Sequence, residues 1–315
     1  MNPVIRLAAA SAVLAAALAL PQVADKGVVF LAGVVWVHMV FGFSWNLMFG
    51  QTGLVSFGHA AFFAIGGYAY AVLARGLPGM HPLLAFAAAG VVSALAALAV
   101  GVVALRRSLG VYFAILSLAL SQIVAMVISG LPSLGRDDGF TGITRPVLNL
   151  GFTSIRLADG DNYYRFLVLC CALLTAVLWW VTHSRVGRSF RAIQQDPERA
   201  GFLGIAVARQ RLLCFTIAAC TTGLAGAVFG PWLQLLTPEL AHWTFSARPI
   251  LYTLLGGVGS FWGPAVGALG FAVLEYATRT LHGISEITIG GILLLVVLVF
   301  PGGLIGSATR LVRRT

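Results

Sequence analysis

At 315 residues, 59% hydrophobic and only 10% charged, the chain has far too little polar surface to coat a water-soluble globule, for which roughly 25% charged residues is ordinary. Its formal charge of +10 does not point to nucleic acid, because the arginines lie in short stretches beside apolar runs, where positive charge sets membrane orientation. Cys170, Cys171, Cys214 and Cys220 all sit inside apolar runs without metal-ligand spacing or an extracellular pairing pattern, and read as packing residues.

Charge-poor runs fall at 7–24, 27–49, 54–74, 82–105, 109–131, 166–182, 212–236, 246–281 and 287–308. Most match the roughly 20 residues a helix needs to cross a hydrocarbon core about 30 Å thick. The pattern predicts an all-α polytopic transmembrane bundle of roughly 8–10 membrane segments with broken or re-entrant helices. Residues 1–315 form one such domain, since no loop is long enough for a soluble catalytic domain. The first run, after Arg6, also resembles a secretory signal peptide ending at Pro21-Gln22-Val23-Ala24. Retained or cleaved, it leaves residue 25 outside.

The densest polar constellation spans 50–68. Gly50, Gly53 and Gly58 loosen the backbone beside Gln51, Thr52, Ser56 and His59. Such groups at membrane depth face a pathway or a partner helix, and both readings stand. Gly66 and Gly67 with Ala60, Ala61 and Ala64 make a small-residue face for tight helix contact. On the run 109–131, Tyr112, Ser117, Ser121 and Gln122 interrupt the apolar sequence, and residues 117 and 121 share a face. Their hydroxyls serve either the pathway or the preceding helical turn. The candidate pathway set is therefore Gln51, Thr52, Ser56, Gly58, His59, Ser117 and Ser121. His38, on a run without another ionisable partner, reads as packing.

The stretch 132–164, with Pro132, Gly135, Gly139, Gly142 and Pro146, has turn chemistry rather than a core. It reads as a solvated outer connector or as part of a docking surface. The stretch 183–211 differs in kind, carrying Arg185, Arg188, Arg191, Arg199, Arg209 and Arg211 against Asp196 and Glu198. Asp196 as N-cap and Pro197 in the first turn predict a short helix ending near Gly204, suited to transmitting force or, alternatively, to gripping anionic lipid. The run 246–281 is too long for one crossing and predicts two short crossings or a re-entrant pair, broken at Gly256, Gly257, Gly259 and Ser260. This second break echoes the first, Gly257, Ser260, Phe261 and Gly263 corresponding to Gly53, Ser56, Phe57 and Gly58. Paired interrupted helices in two halves of a transporter flank a central site. Arginine placement puts 183–211 and both termini in the cytoplasm and 132–164 outside.

Enzymatic readings find little support. Lys26 is the only lysine and follows Ala24-Asp25, so no phosphate-cradling Gly-x-x-x-x-Gly-Lys loop exists. Glu275 is the only acid well inside a candidate span, which disfavours an ion-gradient-driven secondary carrier. A membrane enzyme acting on lipid-linked substrates would have only Asp137-Asp138 to work with. No catalytic residue, metal ligand or cofactor is implied.

Four stretches together resemble a known family: Asn46 to Tyr68, Gly110 to Ala119, Gly187-Arg188-Ser189-Phe190-Arg191-Ala192-Ile193 through Gly204-Ile205, and Leu255 to Ala268. They are similar to the permease subunits of bacterial ABC importers for branched-chain amino acids and related amides, of the shorter type that partners a second permease. The resemblance implies an inner-membrane complex with that second permease, two cytoplasmic ATPase subunits and a periplasmic substrate-binding protein. It also implies a coupling helix with a Glu-Ala-Ala-x-x-x-Gly signature, matched here by Glu198, Ala200 and Gly204 beside Pro197. Arg199 replaces the middle Ala, and the later Ile-x-Leu-Pro is absent.

Overall fold

The computed structural model describes residues 3–77, 79–107, 110–149 and 154–278, together with separate positions between 287 and 306. Helices account for nearly all of it. α1 (Pro3–Ala19) leads through a short 3-10 turn into α2 (Lys26–Thr52), followed by α3 (His59–Gly76), α4 (Pro82–Arg107) and α5 (Val111–Gly130). After α6 (Gly160–His183), two short helices, α7 (Arg185–Gln195) and α8 (Pro197–Phe202), precede α9 (Val207–Leu233). α10 (Trp243–Gly256) and α11 (Gly263–Thr278) complete the described bundle. Among the described residues five helices, α2, α4, α5, α6 and α9, are long and apolar enough to cross a membrane, so the chain is a multi-pass helical membrane protein.

α9 is the central post, packed against α2, α3 and α4. Its approach to α3 depends on missing side chains: a Cβ on Gly66 would overlap the Gly223 carbonyl, and one on Gly226 would overlap that of Phe63. The small-residue face expected on 60–67 thus finds its partner in α9. Buried apolar residues form two main clusters, one around Phe63, Tyr163 and Trp232, the other around Leu47, Phe190 and Phe215. Between them lies a polar layer at Ser44, His59 and Thr222.

The run 246–281 resolves into α10 and α11, which pack on each other across a break at 257–262, as the glycine pattern predicts. The stretch 132–164, read from its turn residues as having no core, carries local structure. Two 3-10 turns lead into β1 (Phe140–Thr141), which pairs antiparallel with β4 (Leu235–Leu236); β2 (Val147–Asn149) pairs with β3 (Ser154–Arg156). Phe140, Ile143 and Leu157 are buried, and the Arg75 guanidinium lies 3.8 Å over the Phe140 ring while donating to the Thr141 carbonyl. Apolar anchors and a ladder pairing Phe140 with Leu236 and Thr141 with Leu235 hold this stretch on the bundle, where spacing suggested only turns. Arg310, Arg313 and Arg314 of the C-terminal orientation signal lie outside the described residues.

Candidate functional site

The site is built on the last two turns of α2. Gly53 takes a left-handed φ of 72°, which lets the chain reverse, while the Thr52 hydroxyl donates back to Met48 O at 2.7 Å. Residues 53–58 then run back along α2: Trp45 Nε1 donates to Ser56 O at 2.9 Å, and His59 reaches Ser44 at 2.8 Å. Ser44 lies eight residues before the end of α2, about 12 Å along a helix rising 1.5 Å per residue. α3 therefore begins inside the bundle, and its first N–H groups need partners there. Ala60 N donates to Ser246 Oγ of α10 at 2.9 Å. Ser56 Oγ accepts from Gly58 N at 3.3 Å.

Ser117 of α5 seals the other side. Its hydroxyl accepts from Phe57 N at 2.9 Å and donates to Ala114 O at 2.8 Å. A Cβ at Gly58 would overlap the Ser117 carbonyl, so only glycine fits there. Above this contact the imidazole of His59 meets two hydroxyls. Nε2 lies 2.8 Å from Ser44 Oγ and 2.8 Å from Thr222 Oγ1, and those oxygens are 2.7 Å apart. Ser44, His59 and Thr222 are each 0% exposed, and Phe41 stacks on the imidazole at 5.7 Å. One polar triangle thus pins α2, α3 and α9 together. His59 Nδ1 has no partner among the described residues.

The predicted pathway residues therefore divide three ways. Ser56, Gly58, His59 and Ser117 form one packed unit, with Thr52 at its turn. Ser121 lies apart, donating to Ala241 O at 2.5 Å and so fixing the entry to α10. Gln51 belongs to the α7 end, where its Oε1 accepts from Arg191 at 3.2 Å; Arg191 also donates to Thr182 O at 2.7 Å. Ser44, Thr222, Ser246 and Asn46 were not singled out by the sequence. Each is a hydroxyl or amide in a mostly apolar run, paired with residues far away in the chain.

The second break is pinned from the same turn of α2. Asn46 Nδ2 donates to Ser260 O at 3.2 Å, and Phe43 stacks on Phe261 at 4.8 Å. Gly257 takes φ 114°, and a Cβ on Gly256 would overlap the Gly263 carbonyl. Gly259 faces open space. Trp45 and Asn46, neighbours on α2, thus hold the two breaks.

α8 forms as its capping residues require. Asp196 Oδ1 accepts from Glu198 N at 3.0 Å and Arg199 N at 3.1 Å, and Arg199 Nε lies 2.9 Å from Asp196 Oδ2. Pro197 occupies the first turn, where its missing N–H costs nothing. Ala200 is buried, while Ile205 N closes the end by donating to Ala200 O at 3.1 Å and Gly204 takes φ 83°. Phe202 and Leu203, 90% and 80% exposed, stand out from the tip. Two large apolar residues side by side at a short helix end were the available signal for them. A cavity of about 690 Å³ opens beside them, lined by Gly204, Ile205, Arg209 and Gln210 among others.

These features define a membrane transport subunit: multiple spans, interrupted helices pinned at a common turn and a capped surface helix between two spans. The model of the branched-chain amino acid transport system permease component family matches residues 27–301, and the chain belongs to that family. Among its relatives is the high-affinity branched-chain amino acid transport system permease protein LivM of Salmonella typhimurium. It is 29% identical over 314 residues, covering 93% of this chain and 73% of LivM. The corresponding LivH protein of Escherichia coli is 23% identical, covering 85% of this chain and 91% of LivH. A shorter match, 32% identical over 105 residues, is to the autoinducer 2 import system permease protein LsrC of Klebsiella pneumoniae. No solved structure matches the chain at a significant level.

Proposed function

We propose that this chain is one of two permease subunits of an ABC importer in a bacterial inner membrane, with both termini cytoplasmic. It carries branched-chain amino acids or a related small polar solute delivered by a periplasmic binding protein, and ATP is hydrolysed on two separate cytoplasmic subunits. The observation that carries this reading is the pair Phe202 and Leu203, exposed on a firmly capped helix between two spans. Apolar residues so placed suit a groove on another protein, and Pro197, Glu198, Ala200 and Gly204 shape that contact.

A force-transmission route supports it. α8 packs on α7, and α7 is tied through Arg191 to Gln51 at the foot of the first break. Movement of α8 on ATP binding therefore reaches Gly53 and Ser56 directly, and through Trp45 and Asn46 it reaches Ser260 and Gly257. Both breaks shift together, so the polar unit around Ser56, His59 and Ser117 opens to one side or the other.

Gentle purification of the chain from its native membrane, followed by mass spectrometry, tests the reading. An ATPase and a second permease in the same complex, with ATP-dependent uptake, is the expected result. Isolation without partners, together with uptake that follows an ion gradient, would assign the chain to secondary carriers instead.

A further inference from the structure

Most outward faces of the bundle are apolar, as lipid requires. α4 exposes Leu84, Val91 and Leu95, and α6 exposes Leu169, Leu173 and Trp180. The face where α5 meets the start of α10 is different. Gln122 and His242 are half-buried there, their side chains 3.2 Å apart. His242 also contacts the exposed Thr244 at 3.0 Å. Arg248 follows one turn later on the same face of α10 as Thr244, half-exposed.

This cluster lies deep. Gln122 is the twelfth of the 20 residues of α5. Phe245 and Tyr252, which bracket Arg248, both make ring contacts with His38, the thirteenth of the 27 residues of α2. Ionisable groups inside membranes face a water-filled pathway or a paired charge. No Asp or Glu among the described residues forms an ion pair with Arg248; its guanidinium hydrogen-bonds the Tyr252 side chain and lies 5.4 Å from the centre of the Phe245 ring, and Glu275 stands on α11.

Resting on the importer reading, we infer that Gln122, Thr244 and Arg248 line the translocation pathway and that Arg248 receives the carboxylate of a zwitterionic solute. A guanidinium gives a carboxylate a charge-assisted hydrogen bond, and a solute stripped of water at mid-membrane needs that partner. Urea and simple amides carry no such group. A carboxylate subsite at Arg248 therefore selects amino acids over urea and amides.

The test uses the assembled importer in liposomes, with ATP inside and labelled leucine on its binding protein as probe. Arg248→Gln is expected to lower leucine uptake about tenfold or more while Arg248→Lys stays within about threefold of the parent, because a charge-assisted contact is lost in one and kept in the other. The ATPases and the second permease should co-purify with both. Thr244→Cys should react with an anionic methanethiosulfonate above the parent background, and leucine should slow it; Leu95→Cys on α4 should not react.

Parental uptake in Arg248→Gln, or equal loss in Gln and Lys, overturns the subsite. So does loss of the second permease from Arg248→Gln, or recovery of that variant by Glu275→Gln, since either would make Arg248 half of an ion pair. Labelling of Thr244→Cys no faster than Leu95→Cys removes the pathway face. Leucine uptake without ATP in the parent complex would overturn the importer reading alone, leaving the subsite to the Arg248 pair and the labelling.

Discussion

Gly66 and Thr222 meet at the same crossing of α3 and α9, and they contribute differently. Thr222 supplies hydrogen bonds within the triangle with Ser44 and His59, and side-chain hydrogen bonds between membrane helices average about 0.6 kcal/mol. Gly66 supplies absence, because its Cβ would fall on the backbone of Gly223. Overpacking costs about 1–3 kcal/mol where side chains can move aside, and here the obstacle is a carbonyl that cannot rotate away. Gly66→Val should therefore lower the thermal midpoint in detergent, followed by size-exclusion fluorescence, by more than Thr222→Val does; the reverse order would show that the polar triangle, not the close approach, governs the crossing. The glycine face was legible because small residues cluster within 60–67. The triangle was not, because Ser44 and Thr222 are 178 residues apart and one hydroxyl in an apolar run looks the same whether it bonds its own helix or another.

At the scale of elements, breaks and caps were the most readable features and returning chain the least. Positive-φ glycines begin both breaks, Gly53 and Gly257, and Asp196 with Pro197 starts α8 in the turn where capping chemistry places it. That residues 53–58 climb back beside α2 depends on Trp45 and Ser117, which lie outside the break itself. Likewise β1 and β4 are two residues each, too short for any alternation to show. The elements predict two separable failures. Phe202 is 90% exposed, so Phe202→Asp should leave the fold intact yet strip the ATPase from the purified complex. Gln51→Leu should keep the ATPase but sever α7 from the foot of the first break. Uptake per ATP hydrolysed should then fall about threefold or more, as for a contact acting only during the switch. A Gln51→Leu complex with unchanged coupling would remove Arg191 from the force route.

For the whole molecule, the two ends of the bundle differ in arginine content, and the difference predicts a direction. One end holds α7, α8 and the start of α9 with Arg185, Arg188, Arg191, Arg199, Arg209 and Arg211; the other holds the β1–β4 ladder with Arg75, Arg136 and Arg145. Cytoplasmic loops retain arginine because translocating it is unfavourable, whereas acidic residues contribute little to orientation. The arginine-rich end should therefore face the cytoplasm, where an ATPase could meet Phe202. α5 and α6 are each long enough to cross once, so residues 138 and 201 should lie on opposite sides of the membrane only if α6 alone separates the two stretches. Alkaline phosphatase, which is active only after export, should report activity when fused after Asp138 and none when fused after Gly201. Activity at Gly201 with silence at Asp138 would invert the molecule and place α8 beyond the reach of any cytoplasmic ATPase. Activity at both would mean that α6 does not cross, and the connection from α8 through Arg191 to the first break would have to lie outside the membrane.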